Sequence, residues 1–316
     1  MTPLENEFSK NFTQPRDPMT ENNKILIIGA SGRLGKALQA ALQHEELETV
    51  LVGRSFAPDV GQGVTYASDD PVLIERLKGW GPNLVINLAA IWGKGVTQEQ
   101  MLKTSYEMPL SLAEKIEGDG LRWIQADSYF NLYFDEFGID KDFYSKTKRL
   151  FTENFREMFE NFSLTQVLAP HLVGVDEAKN RLFGTLVSGH MSQKPFALGS
   201  GNQYVPFVAV SDAAEQLAWM TSKHFSSAGS LPERLQLKRM DCLTVQQINS
   251  RCARQLHSKE SVAMLGAIPD SQHDFYHKVT SEFTLEELPE PQLSLDDIIR
   301  GVAEHRMRAA EGQDRC

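Results

Sequence analysis

The sequence predicts an α/β fold: a doubly wound parallel sheet followed by a smaller C-terminal lobe. Three observations lead to this. Short apolar runs recur along the chain, with stretches of helical spacing between them. The first of these runs ends in a cluster of glycines. Beyond about residue 174 the alternation becomes irregular, which marks where a second lobe is assembled.

The run 24–28 (Lys-Ile-Leu-Ile-Ile) is short and continuously apolar after its lysine, as a strand buried on both faces requires. Leu34, Ala37, Leu38, Ala41 and Leu42 then recur at helical spacing, and 49–52 starts a second strand. Together they form a βαβ unit of about 30 residues. The alternation continues with a strand at 64–66, a helix over 71–78 and a strand at 84–88. A helix over 105–116, a strand at 121–125, a long helix over 143–159 and a strand at 164–168 complete the doubly wound pattern. Farther on, the spacing predicts a helix over 183–191, a turn at 199–202, a strand at 207–210 and a helix over 211–223. Two amphipathic helices over 244–256 and 294–306 follow, with Thr244 and Ser294 as N-caps. The expected organisation is a flexible extension at 1–23, the sheet domain at 24–174, a mixed lobe at 175–310 interleaved with the sheet, and a tail at 311–316.

Bulk properties narrow the function classes. A net charge of −10, without any Lys/Arg cluster, argues against a nucleic-acid surface. Cys242, Cys252 and Cys316 are too few and too irregular for a disulfide framework or a cysteine zinc site, which suits a reducing cytoplasm. Residues 1–23 lack an apolar core for a signal peptide, and no stretch approaches roughly 18 apolar residues, so no membrane partner is expected. No His/Asp/Glu set has metal-ligand spacing, and no serine sits in a nucleophile-elbow glycine frame.

Gly29-Ala30-Ser31-Gly32-Arg33-Leu34-Gly35 follows a strand and opens a helix, the context in which a glycine pattern signals a dinucleotide. Gly29 permits the tight turn, Gly32 lets the backbone approach a pyrophosphate, and Gly35 allows close helix–strand packing, while the helix start offers free N–H groups to the anion. An acidic residue closing the second strand selects NAD(H) through the ribose hydroxyls. Here Arg54 and Ser55 stand in that region, and a guanidinium attracts a 2′-phosphate, so NADP(H) is favoured over NAD(H).

Tyr144 and Lys148 lie four apart at the start of a predicted helix, hence on one face. A nearby ammonium stabilises phenolate, so such a tyrosine can exchange a proton with a substrate oxygen near neutral pH. The bland alternative is an ordinary surface pair.

With these residues in order, the chain resembles the extended short-chain dehydrogenases/reductases, the NAD-dependent epimerase/dehydratase family, from Lys24 to about Arg306. The ordered features are the glycine loop, Asn87-Leu88-Ala89-Ala90, the Tyr144/Lys148 pair, Gly174, and Gly201-Asn202-Gln203 leading to 207–212. The resemblance implies a Rossmann sheet with a smaller C-terminal substrate-binding lobe, and a nucleotide sugar as substrate. It implies Tyr144 as general acid/base, Lys148 as its support and a ribose ligand, and Ser128 as the hydroxyl beside the reacting oxygen. The glycine loop with Ser31, Arg33 and Leu34, then Leu88, Ala89, Ala90, Pro170 and Leu172, would surround the cofactor. Trp92, His171 and Gln203 are substrate candidates, His171 also fitting an ordinary hydrogen-bonded histidine. A homodimer through the helices over 105–116 and 143–159 is implied as well.

Residues 124–131 look most like nucleotide-sugar 4-ketoreductases such as the CDP-abequose and CDP-paratose synthases. Three positions depart from the family pattern. Ala126 stands where the catalytic hydroxyl usually aligns, Ser105 where an asparagine does, and Val205 where an arginine often contacts a substrate phosphate. Ser128 can replace the hydroxyl only if the strand has not turned away after 126, and its other reading is a turn or cap. Dehydratases place Asp-Glu after the active-site threonine; here Asp127 precedes Ser128, which disfavours elimination. The leading expectation is therefore reduction of a keto group, at C4 of a nucleotide-linked 6-deoxy sugar. An epimerase and a non-catalytic dinucleotide sensor are the alternatives.

Overall fold

A computed structural model describes residues 23–53, 65–93, 95–116, 120–138, 140, 142–226, 230–269 and 286–313. Residues 1–22 of the expected extension at 1–23, Arg54 and Ser55, and the last three residues of the tail lie outside the described residues.

The chain runs β1 (Lys24–Ile28), α1 (Arg33–Ala41), β2 (Glu48–Val52), β3 (Thr65–Tyr66), α2 (Pro71–Leu77) and β4 (Leu84–Asn87). It continues with α3 (Gln98–Leu102), a π-helical turn (Lys103–Glu107), α4 (Met108–Ala113), β5 (Arg122–Ser128), α5 (Asn131–Phe137), α6 (Phe143–Met158) and β6 (Ser163–Ala169). The second half comprises β7 (His171–Val173), α7 (Leu182–Ser192), β8 (Phe196–Ala197), β9 (Tyr204–Ala209), α8 (Val210–Phe225), β10 (Arg234–Gln236), β11 (Asp241–Thr244), α9 (Val245–Gln255), β12 (Ala263–Met264) and α10 (Leu295–Gln313).

Seven strands form one parallel sheet in the order β10-β6-β5-β4-β1-β2-β3. The order reverses between β1 and β4, so a crevice opens at their carboxyl ends, where ligands of doubly wound sheets bind. The alternation of side chains along β1 explains its wholly apolar run. Ile25 and Ile27 pack with Leu38 of α1 and Leu217 of α8, while Leu26 and Ile28 pack with Leu73 of α2 and Phe151 of α6.

Most of the predicted elements are present, with shifted ends. The helix expected over 105–116 begins earlier, at Gln98, where Thr97 caps α3 in a capping box with Gln100, and it passes through the π turn before Pro109. The expected strand at 121–125 runs on as β5 to Ser128, because Ala126, Asp127 and Ser128 stay in register with Val167, Leu168 and Ala169. α10 continues to Gln313, past the start of the expected tail. Strand β10 and helix α8 come from beyond residue 174 and yet complete the main sheet and its helical layer.

The remaining lobe has a small sheet in the order β11-β9-β7 and its own core. Phe183 and Val187 of α7, Phe207 of β9, Ile248 of α9 and Ile299 of α10 meet there. Thr244 caps α9 with Gln247 as a capping box, as its place before the amphipathic stretch predicts.

Candidate functional site

A cavity of about 440 Å³ lies over the carboxyl ends of β1, β4 and β5 and is closed on its far side by the second lobe. Gly29, Gly32, Arg33, Leu34 and Gly35 form one end of it. The geometry of that loop depends on two glycines. Gly29 has φ +86°, and a Cβ on it would stand 2.8 Å from the backbone of Leu88 and Ala89. A Cβ on Gly35 would stand 2.4 Å from the Gly29 carbonyl oxygen, so α1 can start this close to β1 only with glycine there. Gly32 caps α1 with extended backbone. The glycine positions therefore form a cradle that a side chain would fill, which fits a pyrophosphate lying over the start of a helix.

The candidate catalytic side chains line the same cavity. Tyr144, on the first turn of α6, and Ser128, the last residue of β5, both line the cavity, as do Leu88, Ala90 and Trp92 after β4. Pro170, His171 and Leu172 line it from the β6–β7 junction. α6 is aimed there by Asp142, whose carboxylate accepts from the Ser145 N–H at 2.8 Å while the Ser145 hydroxyl accepts from the Asp142 N–H. Ser128 has not turned away from the cavity, because β5 is still paired at that residue. Its hydroxyl also accepts from the Phe130 N–H at 3.2 Å, so it serves the turn while facing the site. His171 is half-buried between Phe130 and Phe207, edge-on to both rings.

Some candidates lie outside this lining. Lys148 is buried beneath it, with its Nζ donating to the Ala89 carbonyl at 2.7 Å and to the Ala126 carbonyl at 3.1 Å. Ala89 thus contributes backbone rather than surface, and its N–H donates to the Asn87 side chain at 3.0 Å. Ser31 stands in the glycine loop, off the cavity wall. Gln203 is not brought to the cavity either: it precedes β9, and its Oε1 is buried. Ser105 is fully buried in the π turn, and Val205 packs into the core of the second lobe.

Electrostatics departs from the expected pattern at Tyr144. Burial, reinforced by the carboxylates of Asp127 and Asp142, pushes the phenol up, and among the described residues Arg181 draws it down. The expectation that Lys148 lowers the phenol is not met in this arrangement. The physical reason is that the ammonium faces two carbonyls, while its charge is set against Asp127. Burial lowers Lys148 to about 8, partly offset by that carboxylate.

Asp127 is the feature the motif reading missed. It is 3% exposed, and its oxygens accept from the Ser128 N–H at 2.6 Å, Asn131 Nδ2 at 2.7 Å, Gln166 Nε2 at 2.6 Å and Thr152 Oγ1 at 3.3 Å. Burial raises its carboxyl, against those hydrogen bonds and the Lys148 charge. One aspartate on the cavity wall therefore ties β5, α5, α6 and β6 together. Arg181, Asp176 and Glu177 were also missed, since they come from the second lobe and carry no local motif.

The sequence from residue 25 to residue 230 matches the model of the NAD dependent epimerase/dehydratase family. The chain belongs to that family. No curated protein matches the sequence. Among solved structures, the chain is similar to a UDP-glucuronic acid 4-epimerase from Bacillus cereus, with TM-score 0.72, 17% identity, and 90% of this chain and 99% of that one covered. It is also similar to the Thermus thermophilus UDP-glucose 4-epimerase in complex with NAD, with TM-score 0.68, 15% identity and 90% and 99% covered. A third is the Bordetella bronchiseptica enzyme WbmF in complex with NADH, with TM-score 0.70, 14% identity and 93% and 94% covered. These likenesses concern the fold, a parallel sheet with flanking helices and an added lobe. In this member of the epimerase/dehydratase family, the glycine loop and Tyr144 line one cavity, and Lys148 is buried beneath it.

Proposed function

We propose that this protein is an NAD(P)-dependent oxidoreductase that reduces the C4 keto group of a nucleotide-linked 6-deoxy sugar. The observation that carries the reading is that Tyr144 and Ser128 open into the same cavity as the glycine loop, with Lys148 directly beneath. The dinucleotide, when bound, supplies or accepts the hydride. The glycine loop would hold its pyrophosphate, Leu88, Ala90, Pro170 and Leu172 would line the walls around it, and Lys148, buried beneath on the Ala89 and Ala126 carbonyls, would support the nicotinamide ribose. Ser128 donates to the substrate oxygen and Tyr144 delivers the proton to it. A phenol pushed up by burial, Asp127 and Asp142 keeps its proton at neutral pH and gives it up less readily, so its assignment as general acid rests on its position in the cavity.

The second reading is a 4-epimerase, in which hydride is removed and returned on the other face. It is favoured by the similar structures, two of which are UDP-sugar 4-epimerases. As for the cofactor, the preference for NADP(H) rests on Arg54 and Ser55, whereas the similar structures hold NAD or NADH. We further propose a cytoplasmic homodimer through α4 and α6, which sedimentation of the purified chain tests.

The deciding experiment is a titration with NADPH and NADH, followed by the nicotinamide absorbance after adding a 4-keto-6-deoxy nucleotide sugar. Loss of absorbance in the wild type, absent in Tyr144→Phe, is the expected result. Interconversion of C4 epimers of a UDP-sugar without net loss of absorbance would establish the second reading instead. Failure of both dinucleotides to bind would overturn the two together.

A further inference from the structure

Lys148 is 1% exposed, and the acceptors of its ammonium, the carbonyls of Ala89 and Ala126, are neutral. A buried charge surrounded by dipoles alone remains costly unless an opposite charge stands near it. Asp127 is the mirror case: a buried carboxylate on the cavity wall whose hydrogen-bond partners are neutral donors. The Ser128 N–H and Asn131 Nδ2 donate to Oδ1, and Gln166 Nε2 and Thr152 Oγ1 donate to Oδ2. With donors on both oxygens, a proton on either one would face a donor, so this arrangement favours the carboxylate.

The two charges meet through a shared frame. Ala126, whose carbonyl takes the ammonium, directly precedes Asp127 on β5. Thr152, one turn beyond Lys148 on α6, stands with its hydroxyl 3.3 Å from Oδ2 of Asp127 and 3.4 Å from the Lys148 carbonyl. Ammonium and carboxylate therefore act on each other through space, within a wall where charges are felt more strongly than in water. Each draws the other toward its charged form.

We propose that Asp127 is a positioning residue for the reaction: it is the counter-charge that keeps Lys148 an ammonium beneath the cofactor, and its Oδ1 fixes the peptide N–H of Ser128. This rests on the reading of Lys148 and Ser128 given above and adds the residue that makes both competent. Burial drives Lys148 down, the carboxylate opposes it, and the balance stands at about 8. Without that carboxylate the ammonium would be lost closer to neutral pH. The same carboxylate pushes Tyr144 up, so the phenol keeps its proton while the ammonium keeps its charge. Asp142 and Arg181 also act on the phenol; among the described residues, Asp127 is the charge that acts on Lys148.

The test follows both titrations in the full chain without cofactor, by NMR of lysine labelled at Cε and aspartate labelled at Cγ, with signals assigned through the backbone. The Lys148 midpoint should lie at about 8 in the wild type and about one pH unit lower, or more, in Asp127→Asn. In Thr152→Val, which loosens the network and keeps the charge, it should not move. Coupling is reciprocal, so in Lys148→Met the Asp127 carboxyl should titrate higher by about one pH unit, which decides the matter even if Asp127→Asn does not fold. The pH at which NADH affinity falls should move with the Lys148 midpoint. An Asp127 carboxyl unmoved by Lys148→Met, or a Lys148 midpoint unchanged in Asp127→Asn, would overturn the proposal. An equal shift in Thr152→Val would overturn it too, because packing and not charge would then be the cause. Coupled titrations in a chain that does not bind NADH would leave the charge pair standing and overturn the dinucleotide reading.

Discussion

Arg33 spans the cavity: its Nη1 lies 2.9 Å from Oε2 of Glu177, so a residue of the glycine loop is fastened to a carboxylate of the other lobe that is 2% exposed. The same guanidinium donates through Nε to Asp176 at 2.9 Å. A Cβ on Gly174 would come within 2.8 Å of its Nη2, so the loop after β7 approaches the guanidinium closely because residue 174 is glycine. Arg33 is thus a strut between lobes as well as a wall of the cofactor end. Arg33→Ala should destabilise the protein by about 2 kcal/mol, since it removes charged hydrogen bonds from a buried carboxylate. Urea unfolding of Arg33→Ala, Glu177→Gln and the double variant checks this. Strictly additive losses would show that the two residues do not act as a pair.

Gly35→Ala should impair both folding and cofactor binding. The new methyl would meet the Gly29 carbonyl oxygen and the Ala30 backbone within 2.7 Å, and backbone on both sides cannot yield as a flexible side chain would. A loss of about 1–3 kcal/mol is expected, as for overpacking elsewhere. Thermal melts with and without NADH report it, and an unchanged melting temperature in both would refute the close-packing account.

Tyr144→Phe should cost about a hundredfold or more in turnover, as loss of a general acid does, and leave NADH affinity within about twofold. The reason is position: Tyr144 lines the cavity from the first turn of α6, whose capping by Asp142 is independent of the phenol. Single-turnover absorbance measurements and NADH fluorescence titrations separate the two effects. A parallel collapse of NADH affinity would mean that the tyrosine is structural.

Lys148 supplies a pH dependence. Its folded value, about 8, lies below the ordinary lysine value of 10.5, so between these limits the unfolded chain holds a proton that the folded chain has released. Stability contributed by this residue therefore rises with pH across that window, and its burial cost is borne in full below about 8. The ammonium proposed above to support the ribose is lost over the same interval. NADH affinity should fall as pH passes about 8, and in Lys148→Met it should be weak and free of this step. A wild-type affinity that stays flat across the interval would contradict the assignment.

Asp127→Asn should be severely destabilising despite its small change in size. Four donors converge on the two carboxylate oxygens, and an amide would turn its own N–H groups toward one pair of them. The expected loss is about 2 kcal/mol or more, because buried donors are left unpaired. A denaturant midpoint equal to wild type would show that the network is dispensable.

The part of the site that was legible in the sequence is the part built from contiguous residues. Gly29, Gly32 and Gly35 are readable because the turn and the helix start belong to one segment, and Tyr144 and Lys148 because one helix sets their spacing. Spacing did not reveal the partners: Lys148 gives its ammonium to the carbonyls of Ala89 and Ala126. Ser128 was ambiguous because its orientation depends on whether β5 still pairs with β6 at Ala169, a contact between strands. Gln203 fits the family order, yet its place before β9 leaves it off the cavity wall.

What the sequence by itself determined is the doubly wound sheet, the glycine cradle and the Tyr-x-x-x-Lys helix, since periodicity and turn chemistry act over a few residues and need no distant partner. Only the tertiary structure decided which charges meet. Arg33 finds Glu177 at a separation of 144 residues, Asp127 finds Gln166 across two strands, and Arg181 is set beside Trp92 by the docking of the second lobe. Electrostatic energy and hydrogen bonding depend on distance in space, which chain order does not encode, so protonation and recognition at this site are properties of the packed lobes.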